Sequence, residues 1–257
     1  QCEMGSLIGS SFRNALAMDL NGTNQYGWVD NPTFKTNTSG CFSFWFKLDA
    51  LFTSNVAQTI IGYGVNSGSN DSLILIGPRR TTATGTGTFM NFLTRTTNGG
   101  TFTGYSATTT PLVAGVWMYC EIESNGSATS VRINNVSQTL TKWYGTGLND
   151  AGDWLGDISG SDHKFLIGNH WTANVLASGY FAGVVDEINY FDRTLTGPES
   201  LLLYNAGVPR NPYRAELGSA WKSWWRCGDS RDTNAILYDE IGTNNITLVN
   251  TPTFVTP

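Results

Sequence analysis

Two glutamates in one strand-like segment have the residue type and spacing of a hydrolytic pair. Glu121 and Glu123 stand two positions apart in the run VWMYCEIE, so alternation places both on one face of a strand. Strand rise then separates them by about 7 Å, a separation compatible with glycosidases. Solvated strand glutamates are common, and the chain has neither a Gly-x-Ser-x-Gly elbow nor a Walker loop. We therefore predict that the protein is not an enzyme.

Loop aromatics beside acidic residues indicate a second kind of chemistry, sugar recognition. Trp143, Tyr144, Trp154 and Trp171 lie in or near an Asp-rich stretch over 148–163. A sugar ring stacks its C–H face on an aromatic ring while nearby Asp and Asn side chains accept its hydroxyls. The same four residues are equally suited to cover the edge of a sandwich or to form a protein interface. They are candidate glycan-binding residues, with that alternative left open.

Three further tryptophans are concentrated near the C-terminus, in the run AWKSWWRCGD. Trp221, Trp224 and Trp225 have helical three-and-four spacing, and the run also fits a strand with Trp on both faces. In either case a core or interface position is favoured over ligand binding. Clustered aromatics near a chain end suit anchoring to a partner subunit, so these three are predicted interface residues.

The elements that must position these residues are mostly strands. Eight runs rich in β-branched and aromatic residues are bounded by Gly, Asn, Ser or Asp, which is the signature of strands. One helix is predicted over TGPESLLLYNAG, where Thr196 and Glu199 have capping-box spacing and Gly207 can end it. Many short strands with almost no helix predict an all-β fold, a two-sheet antiparallel β-sandwich.

The sequence divides into three parts. Residues 1–14 form a leader without periodicity, 15–208 hold the strands and the helix, and 209–257 form a Trp-rich tail after the link VPRNPYR. The tail is too apolar to be a free linker. We therefore expect it to pack on the sandwich or on a neighbouring chain.

Charge and hydropathy exclude several classes of partner. The 15 Lys and Arg against 20 Asp and Glu give a net charge of −5, which does not provide the basic patches that nucleic acid requires. No run approaches the roughly 18 apolar residues of a membrane span. The opening QCEMGSLIGS also lacks the charged start and apolar block of a signal peptide.

Several motifs follow one another in the order found in a known family. The chain resembles laminin-G-like domains of the concanavalin A-like lectin/glucanase superfamily through ALAMDLNGTNQYGWV, FSFWFKLD, GVWMYCEIE, VRINNVSQTL, FLIGN and FAGVVDEINYFDRTLTGPESLLLYNAG. The last of these runs is the most specific, and the resemblance covers about residues 15–208. The tail, from SWWRCGDS to ITLVN, resembles a segment that follows such domains in structural proteins of marine phages. The resemblance implies a jelly roll that binds glycans or proteins and often holds a structural Ca²⁺.

Asp186 is the candidate ligand for that ion. In GVVDEINYF, alternation puts it on the same face as Val184 and Ile188. A carboxylate on an apolar face must be hydrogen-bonded, paired or metal-bound, and backbone N–H groups of a turn would suffice. The resemblance implies instead a Ca²⁺ held by Asp186 with oxygens near Asn21 and Gly22 of the first strand. Because that strand offers no acidic ligand at Asn21, the expected affinity is low.

Two functions are compatible with these features. The first is a non-enzymatic virion surface protein, a phage head decoration or tail-fibre component, which contacts other virion proteins or copies of itself and adheres to host glycans. The alternative is a lectin-like glycan-binding module of a secreted or cell-surface protein. Neither function involves nucleic acid or membrane insertion.

Overall fold

The chain folds into two packed antiparallel β-sheets. A computed structural model describes residues 14–53, 56–65, 71–80, 87–145, 152–172, 175–177, 179–209, 214–229 and 231–257. In chain order the strands are β1 (Ala17–Asn21), β2 (Tyr26–Asp30), β3 (Gly40–Leu48), β4 (Ile61–Val65), β5 (Leu73–Arg80), β6 (Thr88–Arg95), β7 (Thr103–Ala107), β8 (Met118–Ser124), β9 (Thr129–Ile133), β10 (Val136–Ser137), β11 (Leu140–Tyr144), β12 (His163–Ile167), β13 (Trp171–Thr172), β14 (Val175–Leu176), β15 (Ala182–Phe191), β16 (Trp221–Trp225), β17 (Ile236–Leu237), β18 (Ile246–Val249) and β19 (Thr253–Val255). The predicted all-β sandwich of the jelly-roll type is confirmed.

The first sheet has eight strands arranged around β15. Its order is β10-β9-β8-β3-β15-β1-β19. One edge of β15 pairs with β3 along its length, whereas the other edge is shared. There β1 pairs with the first half of β15 and β16 with the second half.

The second sheet has nine strands in the order β11-β7-β6-β5-β4-β12-β2-β18-β17. Side chains alternate between its two faces, as pleating requires. On β12, for example, Phe165 and Ile167 belong to the core between the sheets, whereas Lys164 and Leu166, which alternate with them in sequence, lie on the opposite face. We call that opposite face the outer face of the nine-stranded sheet.

Aromatic side chains fill the space between the sheets. The ring of Phe42 on β3 stacks on Phe165 of β12 with centroids 5.5 Å apart. Phe165 also stacks on Trp225 of β16, at 5.2 Å. Each of these rings is 0% exposed, so their burial contributes the large apolar area that drives the two sheets together.

The C-terminal part of the chain is built into this sandwich. β16 extends the eight-stranded sheet, β19 pairs with β1, and β18 pairs with β2 of the other sheet. Trp221, Trp224 and Trp225 are 1%, 7% and 0% exposed. Their prediction as residues that contact a partner subunit was wrong, because alternation along β16 turns Trp225 into the core between the sheets and the other two into a second apolar cluster beside Phe191.

The predicted helix is present as α1 (Gly197–Tyr204), and its capping box is confirmed. The Thr196 backbone N–H donates to the Glu199 carboxylate at 2.8 Å. The helix ends at Asn205, whose φ of 42° supplies the left-handed cap expected of Gly207. A second helix, α2 (Arg214–Leu217), is a single turn. No helix in the described ranges has the length and apolar character needed to span a bilayer.

Candidate functional site

The four predicted glycan-binding aromatics are not in one place. Trp143 lies on β11, Tyr144 at its exposed end, and Trp171 on the short strand β13. Trp154, in contrast, is 0% exposed and packs against Phe42 in the core, with ring centroids 5.7 Å apart. Its prediction as a sugar contact was wrong.

The burial of Trp154 has a local cause. A 3₁₀ turn over Leu155–Asp157 begins directly after Trp154. The Trp154 backbone N–H donates to the Asp157 carboxylate at 2.9 Å. This turn directs the indole ring into the gap between the sheets, where its Nε1 lies 3.4 Å from the Tyr190 hydroxyl. The loop segment 146–151, which carries part of the predicted acidic stretch, lies outside the described residues.

Trp171 forms one wall of an open concavity on the outer face of the nine-stranded sheet. The other walls are Tyr26, Trp28 and Lys164, and the enclosed volume is about 200 Å³. We call these four residues the aromatic cradle. The Lys164 ammonium lies 5.0 Å from the centroid of the Trp28 ring, a cation–π distance.

Strand β2 presents two of these rings because of its alternation. Tyr26 and Trp28 point to the outer face, whereas Gly27 between them faces inward, where a Cβ would lie 2.5 Å from the Ile246 side chain. The register pairs Trp28 with Leu166 of β12, which brings Lys164 to a diagonal position. Sequence analysis missed Tyr26 and Trp28, although the alternation in NQYGWVD was a usable signal.

The third ring of the cradle, Trp171, is positioned by a segment that packs on two glycines of the sheet. The segment that leads into β13 crosses the outer face of β4, where Gly62 and Gly64 have no side chains. A Cβ on Gly64 would lie 2.7 Å from the Trp171 carbonyl oxygen, and one on Gly62 would lie 2.4 Å from the Asn169 carbonyl oxygen. The backbone of this segment therefore sits directly on the sheet, and Trp171 is positioned by it.

A histidine fixes the same segment. The Nδ1 of His170 lies 2.9 Å from the Thr59 hydroxyl, so the two side chains are hydrogen-bonded. This bond ties the segment that carries Trp171 to residues 57–59. Burial lowers the pKa of His170 to about 4. The imidazole is therefore neutral at physiological pH, and its hydrogen bond does not depend on a charge.

The polar rim of the cradle consists of one cation and two carboxylates. Lys164 bonds to Asp30 and lies 3.8 Å from a carboxylate oxygen of Asp162. The Asp30 side chain is 45% exposed, so acceptor oxygens reach the solvent beside the rings. The indole Nε1 of Trp171 is shielded from solvent and donates to none of the described residues.

Trp143 belongs to a second, smaller concavity on the same outer face. Its ring lies against the Arg79 guanidinium, 3.9 Å from the ring centroid. Gly104 makes room for it, because a Cβ there would lie 2.9 Å from the indole ring. Leu75 and Asn91 form part of the floor. We call this concavity the arginine groove.

The cradle and the groove are well separated. Lys164 of β12 pairs with Gly64 of β4, and Gly64 pairs with Leu73 of β5. Arg79 lies six positions beyond Leu73 on β5. At the usual rise of a strand, six positions correspond to about 20 Å. Trp143 and Trp171 therefore line different concavities, and each ring has its own surroundings.

The predicted metal ligands also fail to converge. Asn21 of β1 is opposite Ala182 of β15, and the Gly22 N–H donates to the Phe181 carbonyl at 3.0 Å. Asp186 lies four positions further along β15, about 13 Å away by strand rise. These residues do not form one Ca²⁺ site.

Asp186 is buried, 0% exposed, but its partners are hydrogen bonds. Its carboxylate accepts the Asn14 amide and the Glu187 backbone N–H, each at 2.8 Å. Burial and the neighbouring Glu187 raise its pKa well above the usual value for an aspartate. Each carboxylate oxygen thus accepts one hydrogen bond, one from a side-chain donor and one from a backbone donor, where the sequence predicted backbone donors of a turn.

The predicted face of Asp186 was wrong because β15 contains a bulge. The register with β3 shifts between Asp186 and Asn189, and Glu187 takes a left-handed φ of 47°. Val185 rather than Val184 therefore faces the core ahead of the bulge, whereas Ile188 faces it beyond the bulge.

The glutamates of the candidate hydrolytic pair are also committed to internal contacts. Glu121 is 1% exposed, bonds to Arg132 and accepts the Ser200 hydroxyl of helix α1 at 2.9 Å. Glu123 accepts the Leu195 N–H at 3.0 Å. Burial raises the pKa of Glu121, and Arg132 opposes that shift. The two carboxylates lie beneath helix α1 and anchor it to the sheet.

Solved structures with a similar fold include the following three. A protein from Bacteroides ovatus, described as a candidate carbohydrate-binding protein, superposes with a TM-score of 0.61 at 16% identity over 94% of this chain. The chain spans 60% of the length of that protein. The CBM40 module of a Ruminococcus gnavus IT-sialidase, bound to α2,3-sialyllactose, gives 0.53 at 16% identity, covering 75% of this chain and all 100% of the module. A heptameric SAP-like pentraxin from Limulus polyphemus gives 0.53 at 11% identity, covering 93% of this chain and 97% of the pentraxin.

At these identities the likeness establishes the fold alone, a sandwich of the type shared by carbohydrate-binding modules. No protein-family profile matches the sequence, and no curated protein matches it either. None of the three structures is a virion protein, so the expected phage context gains no support from them.

Proposed function

We propose that the chain is a non-catalytic glycan-binding module and that the aromatic cradle is its sugar-contact site. One observation carries the proposal: three aromatic side chains and a lysine surround a single open concavity of about 200 Å³. A pyranose ring has an apolar C–H face that stacks on such rings. A concave, mainly aromatic site with a few placed polar groups is the general form of a small-ligand site.

The rim supplies hydrogen bonds for hydroxyl groups. The Lys164 ammonium has donors, and the half-exposed Asp30 carboxylate has acceptors. The shielded N–H of Trp171 would gain an acceptor from a bound hydroxyl, which removes the cost of an unsatisfied donor. These groups can orient a ring that the aromatic walls hold.

A further concavity, beside the eight-stranded sheet and distinct from the arginine groove, is a weaker candidate. Its lining includes Trp117, Val208, Pro257 and Trp45, and Trp45 is only 3% exposed. Trp117 therefore offers the main ring surface there, against aliphatic neighbours. The Lys47 ammonium lies 5.0 Å from the Trp117 centroid, the same distance as in the Lys164–Trp28 pair. This makes Trp117 a matched control.

The non-catalytic part of the proposal rests on the candidate acid–base pair. Glycoside hydrolysis needs two carboxylates on either side of the scissile bond. Glu121 and Glu123 instead share Arg132 and lie under helix α1. A substrate has no access to them without displacing the helix.

A glycan-binding role favours the second function deduced from the sequence, a lectin-like module of a secreted or cell-surface protein. The fold likeness to a sialidase carbohydrate-binding module is in keeping with it. The virion role would need a surface that holds other subunits, and the candidate residues for it, Trp221, Trp224 and Trp225, pack inside this chain instead. We place the module outside the cell, where polysaccharides and surface glycans are found.

A glycan array probed with the wild type, Trp28→Ala and Trp117→Ala tests the proposal. The wild type should bind at least one neutral oligosaccharide. Trp28→Ala should lose at least tenfold in affinity for it at an unchanged melting temperature, and Trp117→Ala should bind as the wild type does. The absence of wild-type binding, or loss of binding in Trp117→Ala alone, would contradict it.

A further inference from the structure

The arginine groove on the outer face contains an incompletely partnered cation. Its lining includes Gln58, Thr59, Arg79, Asn91 and Trp143. The cavity volume is about 30 Å³, against about 200 Å³ for the aromatic cradle. A space of that size accommodates one or two waters. It suits a single polar substituent rather than a whole sugar ring.

Arg79 differs from the other arginines that stack on aromatic rings in the described ranges. Three of these lie 3.5–5.3 Å from ring centroids, and each is also ion-paired to a carboxylate: Arg95 with Asp71, Arg226 with Asp229 and Arg231 with Glu240. Arg79 lies 3.9 Å from the Trp143 centroid and forms no ion pair with any described residue. What distinguishes its site is that no carboxylate from the described part of the chain pairs with it.

Two N–H donors in the groove have no acceptor among the described residues. The Nε of Arg79 and the Nε1 of Trp143 are both shielded from solvent, and neither donates to a residue in the described ranges. A shielded donor without an acceptor costs free energy, and a partly desolvated guanidinium without an anion costs more. An anionic ligand group would offset both costs.

The neighbours of Arg79 would not oppose an anion. The groove lining contains no carboxylate, and Gln58, Thr59 and Asn91 are uncharged. Arg79 is the one charged residue in that lining. The groove is therefore locally cationic in a chain with a net charge of −5.

We propose that the arginine groove binds the carboxylate of an acidic sugar, with Arg79 as its principal partner and Trp143 as a second donor. Guanidinium and carboxylate match in shape and form paired charge-assisted hydrogen bonds. This inference rests on the proposed glycan-binding function and adds a preference for carboxylated over neutral glycans. It assigns to Trp143 a role different from ring stacking in the cradle.

The test uses pairs of ligands that differ only in the charge of the carboxylate. Oligosaccharides that contain glucuronate or galacturonate, and sialyllactose, are titrated beside their methyl esters. The wild type should bind at least one acid tenfold or more tightly than its ester. Arg79→Gln should bind the two members of that pair equally, whereas Arg231→Gln, which makes the same change in net charge at an exposed ion pair, should keep the preference.

A second measurement covers the case in which Arg79→Gln does not fold. Glucuronate added to the ¹⁵N-labelled wild type should shift the indole N–H resonance of Trp143, and the same concentration of glucose should not. Sodium sulfate at matched ionic strength tests whether any anion suffices. An equal shift with sulfate would mean a general anion site and would overturn the assignment to a sugar carboxylate.

The possible failures are distinguishable. If neutral glycans bind and Trp28→Ala removes that binding, but no acid is preferred over its ester, only the carboxylate inference falls. A preference that persists in Arg79→Gln also overturns it. If the wild type binds no glycan of either kind, the proposed function and this inference fall together.

Discussion

The Lys164 ammonium lies 5.0 Å from the centre of the Trp28 ring and is bonded at the same time to the Asp30 carboxylate. The three residues come from two neighbouring strands, β2 and β12, whose register places Lys164 opposite Asp30. The lysine therefore links the ring to the polar rim. This relationship gives the aromatic cradle a fixed wall, and it is the feature on which glycan binding is proposed to depend.

The position of the third ring depends on a glycine. Gly64→Ala would place a Cβ 2.7 Å from the Trp171 carbonyl oxygen, so the segment that carries Trp171 must shift. We expect glycan affinity to fall at least tenfold although no cradle side chain is removed. Overpacking of this kind lowers the free energy of unfolding by about 1–3 kcal/mol.

Gly197→Ala is the control for that variant, because a Cβ at Gly197 meets no atom within 4 Å. It should bind glycan as the wild type does. Titration calorimetry and thermal melts measure both effects. Unchanged affinity in Gly64→Ala would show that Trp171 is not a wall of the binding site.

Asp186 is expected to matter for stability. Asp186→Ala removes the acceptor of the Asn14 amide and of the Glu187 N–H at a site that is 0% exposed. We expect the free energy of unfolding to fall by about 2–4 kcal/mol. Asp186→Asn, which keeps one acceptor oxygen, should lose less. Urea unfolding that finds the two variants equally stable would refute this account of the site.

Removal of calcium is expected to have no effect on the fold. Asp186 has two hydrogen-bond donors of its own and lies about 13 Å from Asn21 by strand rise. Melting curves with and without EDTA should therefore coincide. A melting temperature that EDTA lowers in the wild type but not in Asp186→Ala would restore the Ca²⁺ site that the family resemblance implied.

Glu187 should make stability fall with rising pH. Burial raises its pKa to about 8, although the Arg226 guanidinium and the Trp224 indole N–H oppose the shift. The folded state therefore binds the proton more tightly than the unfolded chain, whose carboxyl has a value near 4.5. The stabilisation is complete below that value and is lost as the pH approaches 8. Asp232, with a pKa raised to about 6, acts in the same direction.

Urea unfolding at pH 5 and pH 8 measures this dependence. The decrease in unfolding free energy between the two should be smaller in Glu187→Gln than in the wild type. It should not vanish, because Asp186 and Asp232 keep their carboxyls. Glu216→Gln, at an exposed position, is the matched control and should retain the full decrease. An identical decrease in Glu187→Gln would contradict the raised pKa.

Local patterns were sufficient to predict the fold class and the helix. Alternation in FSFWFKL matches the buried strand β3, and the spacing of Thr196 and Glu199 matches the observed capping box. Both depend on residues within a few positions of one another. Tyr26 and Trp28, in contrast, were missed, because alternation puts them on one face but only the pairing of β2 with β12 makes them part of a site.

The errors came from interactions that sequence distance conceals. Trp154 is adjacent to aspartates in sequence, yet a 3₁₀ turn directs its ring into the core. A bulge at Glu187 reversed the faces of β15, which alternation alone cannot reveal. The sequence of the tail does not reveal that Trp221–Trp225 pairs with β15. The paired residues of the two strands lie 30 or more positions apart in the chain.

The most direct test of the central claim is the ¹⁵N spectrum of the tryptophan indoles at saturating concentrations of a neutral glycan. The nine tryptophans give one indole resonance each, and Trp28→Ala and Trp171→Ala identify the two from the cradle. Glycan binding in the cradle predicts that Trp28 and Trp171 shift most and that Trp117 does not move. Shifts confined to Trp117, or the absence of any shift at Trp28 and Trp171 under saturation, would contradict it.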